Sequence, residues 1–479
     1  MFLSRLSVVM SGSGFNALFL VAVLLFSGSC AMDMGGALRA GPQPQEAPRH
    51  ERAAAAASAT AAEQGSEGLR SALQRLDERI ARHPGDYEAV LLKGLLYYEA
   101  RRYERALEEL RGLVARAPNF HLAQMVLGDM LLSRVGRVSG MGYNPILAAM
   151  PDSRYPLVDD LRAEARMRLR AYRERRDGGK ERVPGQLLRL GNSVESAILV
   201  DKEGHRLYLF LNRGEEEVPQ LLYDFYVSTG RGIGDKVSRG DLRTPEGVYF
   251  VTRYIPDRSL PEKYGVGAFP INYPNELDRY RRKTGGGIWL HGLTRRFYSR
   301  PPLDSEGCVV LSNLDLEQIK ELISPGKTPV IIAEHLEWLE RDLWELRRAE
   351  VLEALQRWRS AWENADARRY LASYAPDFRA DDYDFDSWSA MKRRLFTARG
   401  RRHIVLDDVS LLAYGGLDGA GREMVVADFR LRYEGGGTGQ EWRKRLYLVR
   451  ETERWQVLYE SNVLERDTKL AGSAVPSPG

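Results

Sequence analysis

The chain is predicted to be a multidomain α+β protein: a helical, repeat-like N-terminal region, a mainly-β central domain and an α+β cone at the C-terminus. Three observations carry this. Small residues and prolines recur at a spacing of 34 between residues 68 and 135. Short β-branched and aromatic runs, punctuated by glycine, fill residues 195 to 335. Near the end, Val425, Ala427, Phe429, Leu431 and Tyr433 alternate with Met424, Val426, Asp428, Arg430 and Arg432, the period of a half-buried strand. The 479 residues exceed what one core supports, so about three domains are expected. Apolar content of 43% and charged content of 28% place most of the chain among globular proteins. A net charge of +4 is small for this length. It gives no sign of a nucleic-acid partner, while a mildly basic surface suits an anionic polymer.

Residues 1–30 have the pattern of an export signal: Arg5, then the apolar run Ala17 to Phe26, then small residues. That run is short for a spanning helix. Ordinary cleavage and a lipoprotein signal, with Cys30 as the lipidated first residue, both stay open; Ser27 stands where lipoprotein signals usually carry Leu. Either reading places the protein in the cell envelope, on the periplasmic side, with or without a lipid anchor. Residues 31–67, rich in Ala, Gly, Pro and Gln, are expected to be a flexible tether. Residues 68–180 are expected to be helical. Pro84 and Pro118, Ala89 and Ala123, and Gly94 and Gly128 repeat, with Tyr97, Ala106 and Leu110 between them. Gly94 and Ala106 are small enough to let two antiparallel helices approach, and Pro118 ends the second. The pattern resembles a tetratricopeptide repeat, with Lys93 where Leu is usual. Repeats of that kind leave open protein partners on the helical surface. The Arg-rich helix from 156 to 178, with Arg162 and Arg168 among its arginines, is expected to present a solvated face.

Strands are expected at Ala197 to Asp201, Arg206 to Leu211, Leu221 to Ser228, Gly247 to Arg253, Ile288 to His291, Cys308 to Leu311 and Thr328 to Ala333. Ser312 or Asn313 is expected to cap a helix from Leu314 to Ile323. A helix from His335 to about Trp362 opens residues 345–465, helices continue from Tyr370 to Phe396, and strands follow. Helices first and a curved sheet after resemble the nuclear transport factor 2-like fold. The sequence leaves open whether this cone binds a ligand or mediates dimerisation. Residues 466–479 are expected to be a disordered tail.

The chemistry is concentrated in Gly285-Gly286-Gly287-Ile288-Trp289-Leu290-His291-Gly292 and Ser305-Glu306-Gly307-Cys308-Val309-Val310-Leu311-Ser312-Asn313. His291 and Cys308 lie 17 residues apart, each at the end of a short strand and each beside a glycine. A thiol needs a base to become a nucleophile, and imidazole can take its proton and return it to a leaving amine. Gly307 lets the backbone approach a carbonyl closely, so the amides of Gly307 and Cys308 are candidates to face an oxyanion. The chain has two cysteines, Cys30 and Cys308, and its seven histidines are scattered, so no metal site or cofactor is expected.

His-Gly, a loop, then Ser-x-Gly-Cys resembles the catalytic signature of the L,D-transpeptidase (YkuD-type) domain. Gly240-Asp241-Leu242-Arg243-Thr244-Pro245-Glu246-Gly247-Val248-Tyr249 resembles that family's upstream segment. The stretch Tyr264-Gly265 through Ala268-Phe269-Pro270-Ile271-Asn272-Tyr273-Pro274-Asn275 resembles a cell-shape branch, whose members trim or cross-link peptidoglycan. The resemblance covers roughly residues 195 to 335. It implies that Cys308 attacks the carbonyl between meso-diaminopimelate and the terminal D-Ala of a tetrapeptide stem, with His291 as base, and that Ser305 orients His291 or lines the site. Gly292, Arg243, Arg295, Arg300, Trp289 and Tyr273 are candidates for substrate contact, with Arg296 and Tyr249 beside them. Many relatives carry His at Glu306 and Arg at Val310; the loss of that Arg puts substrate preference in doubt. Arg243, Arg295, Arg296 and Arg300 are the cations available to replace it. The alternative is a catalytically degenerate scaffold that grips peptidoglycan and uses its helical repeats and cone for partners.

Overall fold

A computed structural model describes residues 67–134, 156–177, 182–380, 383–397, 402–435 and 438–463. The signal-like segment with Cys30, the tether up to 66 and the tail after 463 lie outside the described residues.

Four helices come first: α1 (67–82), α2 (Tyr87–Glu99), α3 (Tyr103–Arg116) and α4 (His121–Leu132). A side chain at Gly94 would meet Leu110 at 3.0 Å, so the expected close approach of α2 and α3 is real. Ala106 and Ala123 are buried in the same core as Leu110, and Ala89 is buried with Leu76 and Leu92. Lys93 is accommodated because its ammonium bridges Asp77 at 2.8 Å and Glu109 at 2.7 Å. The Arg-rich helix is α5 (Pro156–Asp177). Its expected solvated face is corrected at Arg162 and Arg168, which are buried. Arg168 bonds Glu164 and Glu88, and Glu88 also holds Arg206 of the next domain, at 2.8 Å. Arg162 pairs with Asp159 and Arg168 with Glu164 along the helix, but Glu88, distant in sequence, completes the burial of Arg168 and no local pattern reveals it.

The central domain is built on a five-stranded sheet in the order β5 (Gln220–Tyr226), β4 (Arg206–Leu211), β3 (Ser196–Asp201), β13 (Pro329–Ala333), β7 (Gly247–Phe250). Strand β3 is buried on both faces. Ile198 and Val200 point into a core with Phe269, Leu290, Val309, Leu316 and Ile319. Ala197 and Leu199 point the other way, into a core shared with Leu412, Val426, Tyr447 and Val449 of the C-terminal domain. That two-sided burial explains its unbroken apolar run. A second sheet, β12 (Val309–Val310), β10 (Trp289–His291), β9 (Gly267–Pro270), β8 (Ile255–Pro256), carries the residues of interest.

The C-terminal domain wraps helix α8 (Arg341–Glu363) in a seven-stranded sheet. Val351, Ala354, Leu355, Trp358 and Ala361 form its inward stripe. Strand β14 (Trp338–Glu340) stands where the helix was expected to begin, and β15 (Tyr374–Ala380) interrupts the expected run of helices. Strand β17 (Arg402–Ala413) falls among the strands expected after Phe396, though no pattern singled it out. Its outer partner is β2 (Leu187–Arg189), which precedes the central domain in sequence.

Candidate active site

Strands β10 and β12 are parallel neighbours, with Leu290 opposite Val309 and His291 opposite Val310. Paired residues share a face and alternate residues share a face. Leu290 and Val309 therefore point into the core together. His291 and Val310 point to the other side, as do Trp289 and Cys308 one pleat earlier. Neighbouring strands and a two-residue step place the Cα atoms of His291 and Cys308 about 8 Å apart, within side-chain reach. The register brings the two strands that carry His291 and Cys308 side by side, as the sequence spacing led one to look for.

Each partner is held in a defined state. His291 Nδ1 lies 2.5 Å from the carbonyl of Gly292. A carbonyl only accepts, so Nδ1 carries the proton and Nε2 keeps a lone pair, the form a general base needs. The ring packs edge-on against Tyr264, centroids 4.9 Å apart, and Tyr264 also packs on Trp289. Burial lowers the His291 pKa to about 4, helped by the charges of Arg300 and Lys263. The half-buried Cys308 thiol lies 3.5 Å from the Gly287 carbonyl. Burial pushes it up to about 11, and Glu306 adds to that; the Trp289 N–H, Lys263 and Arg300 act in the opposite sense. At neutral pH the resting pair is thus thiol and neutral imidazole.

The loops around the pair are fixed by close contacts. Gly307 has φ +123°, and a side chain there would lie 2.7 Å from the Arg243 carbonyl. Ser305 does not bond His291, which corrects one expectation. Its hydroxyl donates to the Cys308 carbonyl at 2.6 Å and accepts the Gly307 N–H at 3.1 Å. A short Ser-x-Gly-Cys turn closes on itself in this way because the hydroxyl is nearer to its own backbone than to the neighbouring strand. The Gly307 amide is thereby withdrawn from the oxyanion role, leaving the Cys308 amide of the two expected. Asn313, expected only as a possible helix cap, has a role at the site that sequence reasoning missed. Ser312 caps helix α7 (Asn313–Ile319), and Asn313 instead staples the His-Gly turn. It accepts from the Leu293 N–H at 3.1 Å and the Val266 N–H at 3.3 Å and donates to the Leu293 carbonyl at 2.7 Å. A side chain at Gly292 would meet Asn313 Oδ1 at 2.2 Å, so Gly292 serves backbone packing.

The remaining candidates separate clearly. Trp289 shares the face of the pair. Tyr273 and Tyr249 are buried and pack on each other, and the Tyr273 hydroxyl donates to the Thr284 carbonyl at 3.2 Å. Tyr273 is therefore a core residue and not a wall of the cleft, since ring and hydroxyl are both satisfied internally. Arg295 is exposed and pairs with Asp257 at 3.3 Å, and Arg296 is exposed beside it. Arg243 donates to the Asp235 carbonyl at 3.3 Å within its own loop. Of the four arginines, Arg300 alone acts on both His291 and Cys308, together with Lys263, a cation that no motif marked.

Comparison with known proteins agrees with this geometry. Residues 195–332 match the L,D-transpeptidase catalytic domain family, YkuD. This segment is a YkuD-type L,D-transpeptidase domain. Residues 350–461 match the Cds6 C-terminal NTF2-like domain. The chain is 28% identical over 128 residues to the Escherichia coli (strain K12) protein named "Putative L,D-transpeptidase YafK", covering 26% of this chain and 46% of that one. It thus spans about half the length of that curated relative. The structure of Bdellovibrio bacteriovorus Bd1075 is similar with a TM-score of 0.52 at 27% identity, covering 59% of this chain and 98% of the other. The helical cell shape determining protein Pgp2 from Campylobacter jejuni gives a TM-score of 0.49 at 27% identity, over 58% and 95% of the two chains. The L,D-transpeptidase domain and the NTF2-like domain together account for the expected architecture after residue 195.

Proposed function

We propose that this chain is a cell-envelope cysteine enzyme acting on the bond between meso-diaminopimelate and a terminal D-Ala in peptidoglycan tetrapeptide stems. The observation that carries this reading is the placement of Cys308 and His291 on one face of adjacent parallel strands, with Nε2 left as the base. In this reading Nε2 takes the thiol proton as sulfur attacks the carbonyl carbon. A C–S bond forms, the C–N bond breaks, and the D-Ala amine leaves with the proton that His291 held. Water or a side-chain amine then adds to the thioester, the C–S bond breaks and the thiol is restored. Water makes the protein an L,D-carboxypeptidase and an amine makes it an L,D-transpeptidase. Lys263 and Arg300 supply positive charge for substrate carboxylates where Val310 replaces the Arg of many relatives. Export by residues 1–30, with or without lipid attachment at Cys30, brings the enzyme to its polymer, and a role in cell shape follows from trimming or cross-linking it.

The test is release of D-Ala from purified tetrapeptide muropeptides. Cys308→Ala and His291→Ala are each expected to lower it at least a hundred-fold; release unchanged in Cys308→Ala would sink the reading. A degenerate scaffold is the second reading. The Gly307 amide bonded to Ser305 and the high thiol pKa favour it. It predicts muropeptide binding without turnover, at equal affinity in the wild type and Cys308→Ala.

A further inference from the structure

The one hydrogen bond of the His291 ring among the described residues runs from Nδ1 to the Gly292 carbonyl. A single bond fixes one ring atom and leaves the plane free to tilt about it, because the outer torsion of histidine is broad. Tyr264 supplies a second support. Its ring stands across His291 at 81°, centroids 4.9 Å apart, and meets Trp289 at 45° and 4.8 Å. Trp289 and His291 are alternate residues of β10 and share a face, so one ring bridges both. Tyr264 is itself held from two flanks. Before it, Glu262 accepts from the Thr294 hydroxyl at 2.8 Å. After it, Gly265 has φ +66°, and a side chain there would collide with Asn313 Oδ1 and with the Leu293 backbone. The glycine lets this turn dock directly on Asn313. The Val266 N–H and the Leu293 N–H both donate to that same oxygen. One side-chain amide thus sets the turn that carries Tyr264 against the turn that follows His291.

We propose that Tyr264 is a positioning residue: its ring braces the imidazole of His291, so that Nδ1 stays on the Gly292 carbonyl and Nε2 stays the free base. This rests on the reading of His291 as the base. Holding the ring before substrate arrives removes an orientation cost from the step in which the thiol proton moves. The contacts belong to the aromatic ring and not to its hydroxyl, so the brace needs a flat ring and no phenol. A role confined to packing would change stability and leave both the tautomer and the turnover of bound substrate where they are.

Two measurements test this on the purified protein at pH 7. One is the nitrogen NMR spectrum of the His291 ring, with histidine labelled and the signals assigned through His291→Gln. The other is the steady-state kinetics of D-Ala release from tetrapeptide muropeptides. The wild type is expected to show the Nδ1–H tautomer alone. Tyr264→Ala is expected to show both tautomers in exchange and to lower kcat about ten- to a hundred-fold, with KM within about two-fold of wild type. Tyr264→Phe, which keeps the ring, is expected to match the wild type in both. If Tyr264→Ala does not melt cooperatively, Tyr264→Leu is read in its place. A single tautomer in Tyr264→Ala, a mixture already in the wild type, or a Tyr264→Phe as impaired as Tyr264→Ala overturns the proposal. Absence of D-Ala release from the wild type would remove the enzymatic reading, and the ring spectra would still decide whether Tyr264 holds the imidazole.

Discussion

Burying an imidazole and a thiol together sets both against charge. The thiol of Cys308 is pushed up to about 11, so its alkylation at pH 7 is expected to be slower than that of a free cysteine. In the proposed mechanism, activation therefore belongs to the substrate-bound state, when a carbonyl carbon accepts the electron pair as Nε2 takes the proton. The imidazole makes its own prediction. His291 titrates at about 4 in the fold, against 6.5 in an unfolded chain. A lowered pKa means the unfolded state binds the extra proton, so stability is complete above pH 6.5 and is lost as pH falls toward 4. The loss is about 3 kcal/mol by pH 4. His205, buried and also lowered to about 4, contributes in the same window. Urea unfolding at pH 7 and pH 4 should show a smaller difference in His291→Gln than in the wild type. An equal difference would mean that the ring is not buried neutral.

At the scale of elements, the site depends on where two turns are pinned. Removing Asn313 leaves the His-Gly turn without three hydrogen bonds. Asn313→Ala is expected to cost about 2–3 kcal/mol and to lower D-Ala release by displacing His291. A melting temperature and activity both at wild-type values would show that the turn holds itself. Much of this was legible. Strand β4 followed from its β-rich run, and the His-Gly and Ser-x-Gly-Cys spacing pointed to the L,D-transpeptidase segment. What was missed has physical causes. In β17 the register shifts between Asp407 and Ser410, and Asp408 has φ 54°, so the alternation that marks a strand is broken in its middle. Strand β2 has three residues, too few to carry a period. Arg168 read as surface because Glu88, which it shares with Arg206, is supplied by another element. Lys263 has no motif, and only the fold brings it to the pair. The face of β18 (Met424–Gly435) expected to meet solvent is covered at Met424 and Val426 by the L,D-transpeptidase domain.

That last contact governs the whole molecule. Ala197, Leu199, Val248 and Ile331 of the catalytic sheet share one core with Leu412, Val426, Tyr447 and Val449 of the NTF2-like sheet. Charge reinforces it: Arg445 bonds Glu276 of the catalytic domain at 3.0 Å and the fully buried Asp428 at 2.5 Å, and lies 4.0 Å over the Phe250 ring. Strand β2, which leads into the catalytic domain, is hydrogen-bonded into the other domain's sheet, and Trp344 of α8 donates to the Leu187 carbonyl at 2.8 Å. Two sequence families therefore fold here as one cooperative body. A fragment of residues 190–335 would expose the apolar back of its sheet and leave Glu276 without Arg445. It is expected to be aggregation-prone, although it contains Cys308 and His291. The intact protein is expected to melt in a single transition across these two domains, and Arg445→Ala, which takes the guanidinium from Glu276 and leaves Asp428 with Arg443 alone, to destabilise both together by about 3 kcal/mol. Calorimetry of Arg445→Ala decides the matter: two separated transitions, with the catalytic one unmoved, would show that the domains are merely tethered.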